Sequence, residues 1–493
     1  MRLYLRGHNN KYAVEQMLLA LYPREKPEYP EGTPSGDRVE ISFGMGKKFA
    51  TVSCRLCLDG ESHTGKAAVS SAGLEDPVLL DRCVQRMIKT AFYRAAVRAG
   101  HERPAWGALT GVRPGKLMSQ LLESGLEPEA AEKRFMDEFD VSPARARLCL
   151  DASLVTEGMR RELKSEDVCL YVGIPFCPTR CAYCSFVSQS VEKSMVLIPP
   201  FLTALRKEID AAGKAVKAAG LRVVSIYMGG GTPTTLSAPE MDALCAGLEE
   251  SFDLSALREY TVEAGRPDTI TPEKLAVLKA RGVTRVSVNP QTMSDAVLEA
   301  IGRRHTAGAV IDALEMVRAA GDFEVNMDLI AGLTGDTPDG FAKTIETVLA
   351  LKPENITVHT LSLKKGSRIT LEGTALPTPG EVSLMLDCAG SALRRAGYGP
   401  YYLYRQKFMS GGFENVGWAL PGTENLYNVC MMEELCSIIA MGGGGSTKLV
   451  APGEGKNIRL TAPKYPKEYI DRIDLTCADK KRIKEFYDVL SIG

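Results

Sequence analysis

From Val168 onward the sequence alternates short apolar runs with longer amphipathic ones, six times over, and no other feature constrains the fold so strongly. The strand-like runs lie at Val168–Val172, Val223–Met228, Glu259–Glu263, Val283–Val288, Glu324–Leu329 and Asn355–Leu361. Helical patterns fall between them at Ile198–Ala219, Pro239–Phe252, Pro272–Ala280, Ser294–Ile301 with Ala307–Ala320, and Pro338–Leu351. Serial βα units require a parallel sheet with right-handed crossovers. In such sheets chemistry collects at the C-terminal ends of the strands.

Upstream, Arg2–Arg6 reads as a short strand, Lys11–Tyr22 as a helix, and Arg38–Phe43 with Phe49–Leu58 as a hairpin. Cys54 and Cys57 form a C-x-x-C, but positions i and i+3 of a strand face opposite ways, and Cys54 belongs with Val52, Leu56 and Leu58 on a buried face. Asp76–Ala99 is a long amphipathic helix, followed by helices near Glu129–Phe139 and Ser142–Leu163. The loop Trp106–Lys116 carries two cations and reads either as an anion holder or as the cap of the next helix. Residues 1–165 therefore form an N-terminal α/β domain, before a core over 166–370 and a C-terminal region over 371–493. Of 493 residues, 45% are hydrophobic and 25% charged, with a net charge of −1, which excludes a global basic field for nucleic acid. No run of 18 apolar residues is present to span a membrane. The N-terminus lacks a signal-like apolar stretch, so the thirteen cysteines read as cytoplasmic thiols or metal ligands.

The first βα loop holds three of them, Cys177, Cys181 and Cys184, in Ile174-Pro-Phe-Cys-Pro-Thr-Arg-Cys-Ala-Tyr-Cys. The same spacing lines one face of a helix, but Pro175 and Pro178 bracket Cys177 and disfavour that conformation. Three clustered cysteines also cannot pair off as disulfides. Thiolates are the usual ligands of iron–sulfur clusters, and three thiolates on a [4Fe–4S] cubane leave one iron open for a cosubstrate.

The other strand ends carry matching chemistry: Gly229-Gly-Gly-Thr232-Pro, Glu263, Asn289-Pro-Gln291, Asp328 with Ala331-Gly332, and His359. Glycines expose backbone N–H and C=O groups to a ligand, carboxylates meet hydroxyls or an ammonium, and Arg303 can meet a carboxylate with two parallel bonds. A cosubstrate with an amino acid end, a ribose and an adenine, bridging an open iron, is S-adenosylmethionine (SAM).

Cys177-x-x-x-Cys181-x-Tyr183-Cys184 together with Gly229-Gly-Gly-Thr-Pro233 resembles the radical SAM superfamily. Ile174-Pro-Phe-Cys177, Thr261-Val-Glu263-Ala, Arg285-Val-Ser-Val-Asn-Pro-Gln291, Gly302-Arg303-Arg-His305-Thr and Asp328-Leu-Ile-Ala-Gly-Leu333 are similar to the oxygen-independent coproporphyrinogen III oxidase (dehydrogenase) family. The N-terminal extension, Gly111–Pro114 and Tyr401–Lys407 resemble its HemZ-like branch. The resemblance implies a partial (β/α)6 barrel over 166–370 and a C-terminal α+β region covering the substrate. It implies that Cys177, Cys181 and Cys184 hold a [4Fe–4S] cluster, and that Tyr171, Tyr183, Gly230 and Glu263 contact SAM, with Tyr171 as the catalytic candidate. Gly231, Thr232, Gln291, Arg303 and Asp328 match contacts to a second SAM. The implied reaction is oxidative decarboxylation of coproporphyrinogen III to protoporphyrinogen IX in haem biosynthesis, through a 5′-deoxyadenosyl radical. Its partners would be the tetrapyrrole and a reducing donor of the flavodoxin or ferredoxin type, with no nucleic acid and no membrane. Two positions depart from the family's motif: Gly173 stands where a histidine is usual, and Phe186 where a fourth cysteine is usual.

Two other readings stay open. Relatives that act as haem-binding chaperones carry a His-Asn…Tyr-Trp motif, whose nearest counterpart here, Tyr427–Met432, lacks the His and Trp. A different radical enzyme, of the methyltransferase or cyclopropanase type, would share the core. Beyond Lys364 and Lys365, Gly366–Gly380 reads as a linker and Glu381–Ala396 as a helix. The tyrosines of Tyr398–Lys407 suit either a flat tetrapyrrole or an edge strand, and Gly442–Gly445 suits either a ligand contact or a flexible turn.

Overall fold

The computed structural model describes residues 1–111, 113–179, 181–184, 189–190, 194–362, 375–406, 412–451 and 457–490. Phe186, Lys364, Lys365, Lys407 and most of the linker after Leu361 lie outside the described residues. The chain forms two compact units, one made of Met1–Leu150 with Arg405, Gln406, Gly412 and Phe413, the other of most of the chain from Asp151 on.

In the first unit, β1 (Arg2–Arg6) runs parallel to β2 (Arg38–Met45), and β3 (Phe49–Leu58) and β4 (Glu61–Ser70) follow antiparallel. Strand β3 alternates as expected up to Leu56, burying Ala50, Val52, Cys54 and Leu56 against the helices Lys11–Leu21 and Pro77–Arg98, whereas at its end Cys57 is buried and Leu58 only partly so. Cys54 is a core residue. Arg113 immediately precedes the Pro114–Glu123 helix. Arg405 lies over the buried Trp106 ring and donates to the Leu109 and Gly412 carbonyls.

The second unit is built on one eleven-stranded sheet. Its centre is the expected series of six parallel strands in sequence order: β5 (Asp167–Ile174), β8 (Arg222–Gly230), β9 (Glu259–Glu263), β10 (Arg285–Ser287), β11 (Glu324–Ala331) and β12 (Asn355–Thr360). The very short β6 (Phe176–Cys177) and β7 (Gln189–Ser190) pair with each other in the first loop. The crossover helices start where the side chains cap them. Thr271, Thr306 and Thr337 accept from backbone N–H groups of their first turns, and Ser237 and Thr378 form capping boxes. The central strands are buried on both faces, as a sheet covered by helices requires.

The C-terminal region extends this sheet at both edges. On one side β13 (Gly399–Arg405) and β14 (Glu414–Ala419) are added, with β14 antiparallel to β12. On the other, β15 (Ser437–Gly442) runs parallel to β5, followed by antiparallel β16 (Ser446–Val450) and β17 (Asn457–Thr461). Tyr401 and Tyr402 are buried, so their strand is an edge strand with inward tyrosines. Among the described residues no helix is long and apolar enough to cross a membrane.

Candidate active site

Strand β5 ends at Ile174 and delivers the cysteine loop onto the tips of its neighbours. Two backbone bonds clamp it to the glycine loop after β8: Gly231 N to Ile174 O at 2.8 Å, and Thr232 N to Phe176 O at 2.7 Å. Cys177 Sγ then stands 3.4 Å from Thr232 Oγ1. The loop turns at Cys181–Cys184, whose backbones bond at 3.2 Å, and Ala182 N is held by Ile301 O at 3.0 Å. Arg266, buried just past β9, donates to Thr179 Oγ1 at 2.9 Å and reaches Cys181 Sγ at 4.0 Å, while Asp268 takes its other nitrogens. Cys177, Cys181 and Cys184 are part-exposed thiols, and Cys181 stands beside a fixed cation. That donor set fits an iron–sulfur cluster. Three thiolates on one loop leave one iron of a [4Fe–4S] cubane without a protein ligand.

The glycines of the second loop admit the protein's own groups. A Cβ on Gly231 would lie 2.4 Å from the Phe176 carbonyl, and one on Gly229 would lie 2.9 Å from the Glu263 carboxyl carbon. Gly230 takes φ +108°, a backbone open to glycine alone, and faces Ile174 and the Tyr171 hydroxyl. Tyr171 and Tyr227 are register partners on β5 and β8, and with Tyr427 their rings form a stack, the Tyr227–Tyr427 centroids 4.5 Å apart. Tyr227 donates to Glu263 Oε1 at 2.6 Å. Burial raises the Tyr171 phenol well above the usual tyrosine value, with Glu263 adding to the effect, so it stays protonated.

The two carboxyls at this mouth differ. Burial pushes Glu263 up to about 7, opposed by the Tyr227 hydrogen bond and reinforced by Asp328. Asp328 is buried as well, but bonds from His359, Asn326 and Thr357 outweigh that and hold it below the usual carboxylate value. Gln291, at φ +69°, locks onto the same strand end: its N–H donates to Asp328 O at 2.9 Å and its carbonyl accepts from Ile330 N at 3.0 Å. Arg303 spends its outer nitrogens on Gly265 O, Asn289 O and Tyr183 Oη, 3.0 to 3.3 Å away, while its buried Nε has no partner among the described residues. Burial, with Arg303 and Arg266 nearby, brings His305 down to about 4 and so keeps it neutral.

The structure thus groups Cys177 with Gly231 and Thr232, Tyr171 with Gly230 and Glu263, Tyr183 with Arg303, and Gln291 with Asp328. Sequence reasoning passed over Arg266 and Tyr227. The signal for both was positional, since Arg266 follows β9 by three residues and Tyr227 sits beside Tyr171 in register.

Gly173 has a local explanation. A Cβ there would meet the Gly443 carbonyl at 3.0 Å and the Tyr171 ring at 3.2 Å. The turn Gly442–Gly445 fills the place a larger side chain would take, and Gly443 packs on Pro175. The turn is held and not loose, because Gly442 is the register partner of Gly173 and its N–H is held by Glu208 at 2.8 Å.

Comparison with known proteins agrees with this picture. The sequence profile of the radical SAM superfamily matches residues 171–348. The oxygen-independent coproporphyrinogen-III oxidase-like protein HemZ of Bacillus subtilis is 41% identical over 375 residues, 75% of this chain and 75% of that protein. The heme chaperone HemW of Lactococcus lactis is 31% identical over 266 residues, 52% of this chain and 64% of that protein. The solved coproporphyrinogen III oxidase (HemN) of Escherichia coli shares the fold, with a TM-score of 0.52 at 23% identity over 66% of this chain and 73% of that one. Members of this superfamily use a [4Fe–4S] cluster and SAM. The chain belongs to the radical SAM superfamily, within its oxygen-independent coproporphyrinogen-III oxidase-like family.

Proposed function

We propose that the chain carries out the oxidative decarboxylation of coproporphyrinogen III to protoporphyrinogen IX, drawing electrons from a flavodoxin- or ferredoxin-type donor in the cytoplasm. The observation that carries this reading is the 41% identity to the HemZ protein across three quarters of both chains. Cys177, Cys181 and Cys184 hold the cluster, with Arg266 offsetting thiolate charge beside Cys181. When bound, the cluster and SAM supply a 5′-deoxyadenosyl radical. Tyr171, Tyr183, Gly230 and Glu263 bind the SAM at the cluster, and Gly231, Thr232, Gln291, Arg303 and Asp328 shape the space for a second. Tyr171 acts as a neutral hydrogen-bond donor, since burial keeps its proton on. Glu263 meets the ammonium group, and the anionic Asp328 suits ribose hydroxyls.

The HemW relatives favour a second reading, a haem-binding chaperone. Against it, Tyr427 is committed to the tyrosine stack and Asn428 donates to Tyr401 Oη at 3.3 Å, so neither position presents an imidazole to iron. Anaerobic reconstitution with iron, sulfide, SAM, reductant and coproporphyrinogen III distinguishes the two. The expected products are protoporphyrinogen IX and 5′-deoxyadenosine. Deoxyadenosine without a vinyl product would point to another substrate, and stoichiometric haem retention with neither product to the chaperone.

Glu263 makes SAM binding pH-dependent. An ammonium needs the carboxylate, and with a value of about 7 that form falls from about nine-tenths of the protein at pH 8 to about one-tenth at pH 6. Affinity for SAM in the reconstituted protein is expected to weaken about tenfold over that interval. The groups facing Glu263 are Tyr227, Tyr171 and Tyr427, which stay protonated, and Asp328 with His359. Equilibrium dialysis of Glu263→Gln checks the assignment: its affinity should be lower and flat with pH, and an unchanged slope would assign the titration elsewhere.

A further inference from the structure

Below the tyrosine stack, inside the second unit, lies a separate cluster of thiols. Cys169 belongs to β5, Cys430 to the Leu426–Glu433 helix, and Cys436 to the residue before β15. All three are buried, at 0%, 0% and 5% exposure, and their sulfurs lie within 4.8 Å of one another, Cys169 to Cys436 at 3.6 Å. We propose that Cys169, Cys430 and Cys436 form a second metal site, for a single thiophilic d10 cation of the zinc(II) or copper(I) class.

The spacing decides between the possible occupants. Sulfurs sharing one ion at about 2.3 Å stand ~4 Å apart, which this group already matches. A cubane needs its thiolates farther apart, on separate irons. A disulfide would engage two sulfurs and leave the third buried beside it. Soft thiolates select copper(I) and zinc(II) over hard cations. One further observation favours a thiolate site. The Tyr427 hydroxyl is buried in the field of Cys169 and Cys430 among others, with no partner among the described residues, and is a donor suited to a thiolate. Binding breaks three S–H bonds, forms three S–metal bonds and releases the protons to solvent, with no change of oxidation state. The ion would join β5, which leads to the cysteine loop, to the helix and strand that complete the sheet edge.

The test uses the full-length chain with Cys177, Cys181 and Cys184 all changed to serine, so that no iron–sulfur cluster competes. Zinc(II) and copper(I) are titrated separately under anaerobic conditions against chromophoric chelators. One equivalent of one of them is expected to bind, with proton release and a rise in melting temperature. X-ray absorption at that metal's edge should show three sulfur neighbours at about 2.3 Å. Adding Cys430→Ala, or separately Cys436→Ser, should remove this binding while circular dichroism shows the fold retained. Absence of tight binding of either ion, or equal binding after those substitutions, would overturn the proposal. If both substituted chains misfold, the absorption spectrum of the parent chain decides, and fewer than three sulfur neighbours rejects the site.

Discussion

Gly442→Ala is expected to destabilise the second unit by about 3–5 kcal/mol, among the largest effects available to a single methyl group. Gly442 takes φ +91°, where an L residue costs about 1–2 kcal/mol. Steric overlap costs more. A Cβ there would lie 2.2 Å from the Gly173 carbonyl oxygen and 3.0 Å from its carbon and nitrogen, all backbone atoms that cannot swing aside. Either β15 peels from β5 or the strand feeding the cysteine loop moves. Retreat of β15 would also strain the buried group that fixes it: Glu208 accepts from Gly442 N and Tyr469 Oη and pairs with Lys480 at 2.8 Å. Gly444→Ala is the control. Its φ is +74°, yet a Cβ would find its nearest neighbour, the Lys464 Cα, at 3.9 Å, so about 1 kcal/mol of strain is all it should lose. Urea unfolding, with amide exchange at Val172 and Met441, measures both. Equal losses in the two variants would show that the Gly173–Gly442 approach is not the constraint.

That close approach also shows where the sequence stops being legible. The first two parallel strands stood out because burial on both faces writes them as nearly continuous apolar runs, the other four followed from their place between helical patterns, and the Thr and Ser caps mark where helices start. The position of Glu263, Gln291 and Asp328 at one mouth followed from strand order alone. By contrast β4 went unread, since Glu61–Ser70 is mostly polar and buries little beyond Gly65 and Ala67. Tyr401 and Tyr402 suited a flat tetrapyrrole or an edge strand with exposed rings equally well, and the structure buries both on a strand beside β14. Cys169, Cys430 and Cys436 share no local spacing that would single them out. They meet only because β15 returns to pair with β5, a long-range contact that no local pattern encodes. The same return explains the glycine at 173, which as sequence was only a departure from a motif.

Cys181→Ala is expected to abolish SAM cleavage, a loss of at least about 100-fold, since removing even a group that merely supports a metal ligand costs about 10–100-fold. Cys181 lies at the middle of the three-cysteine loop and is the one facing Arg266. Its side chain is only half-buried, so the truncation removes little packing, and the apoprotein should lose less than about 1 kcal/mol. Separation of the two readouts is the informative part. A fall in both iron content and SAM cleavage, with melting temperature and circular dichroism unchanged, places the effect on the cluster and not on the barrel. Arg266→Gln would keep all three thiols but withdraw the cation, so it should retain iron while weakening the cluster's hold. A purified Cys181→Ala chain that carried four irons and still produced 5′-deoxyadenosine would remove Cys181 from the ligand set. Because Cys169, Cys430 and Cys436 form a cluster of their own, away from the cysteine loop, Cys430→Ala should leave four irons in place. The pair of variants therefore tells one thiol cluster from the other.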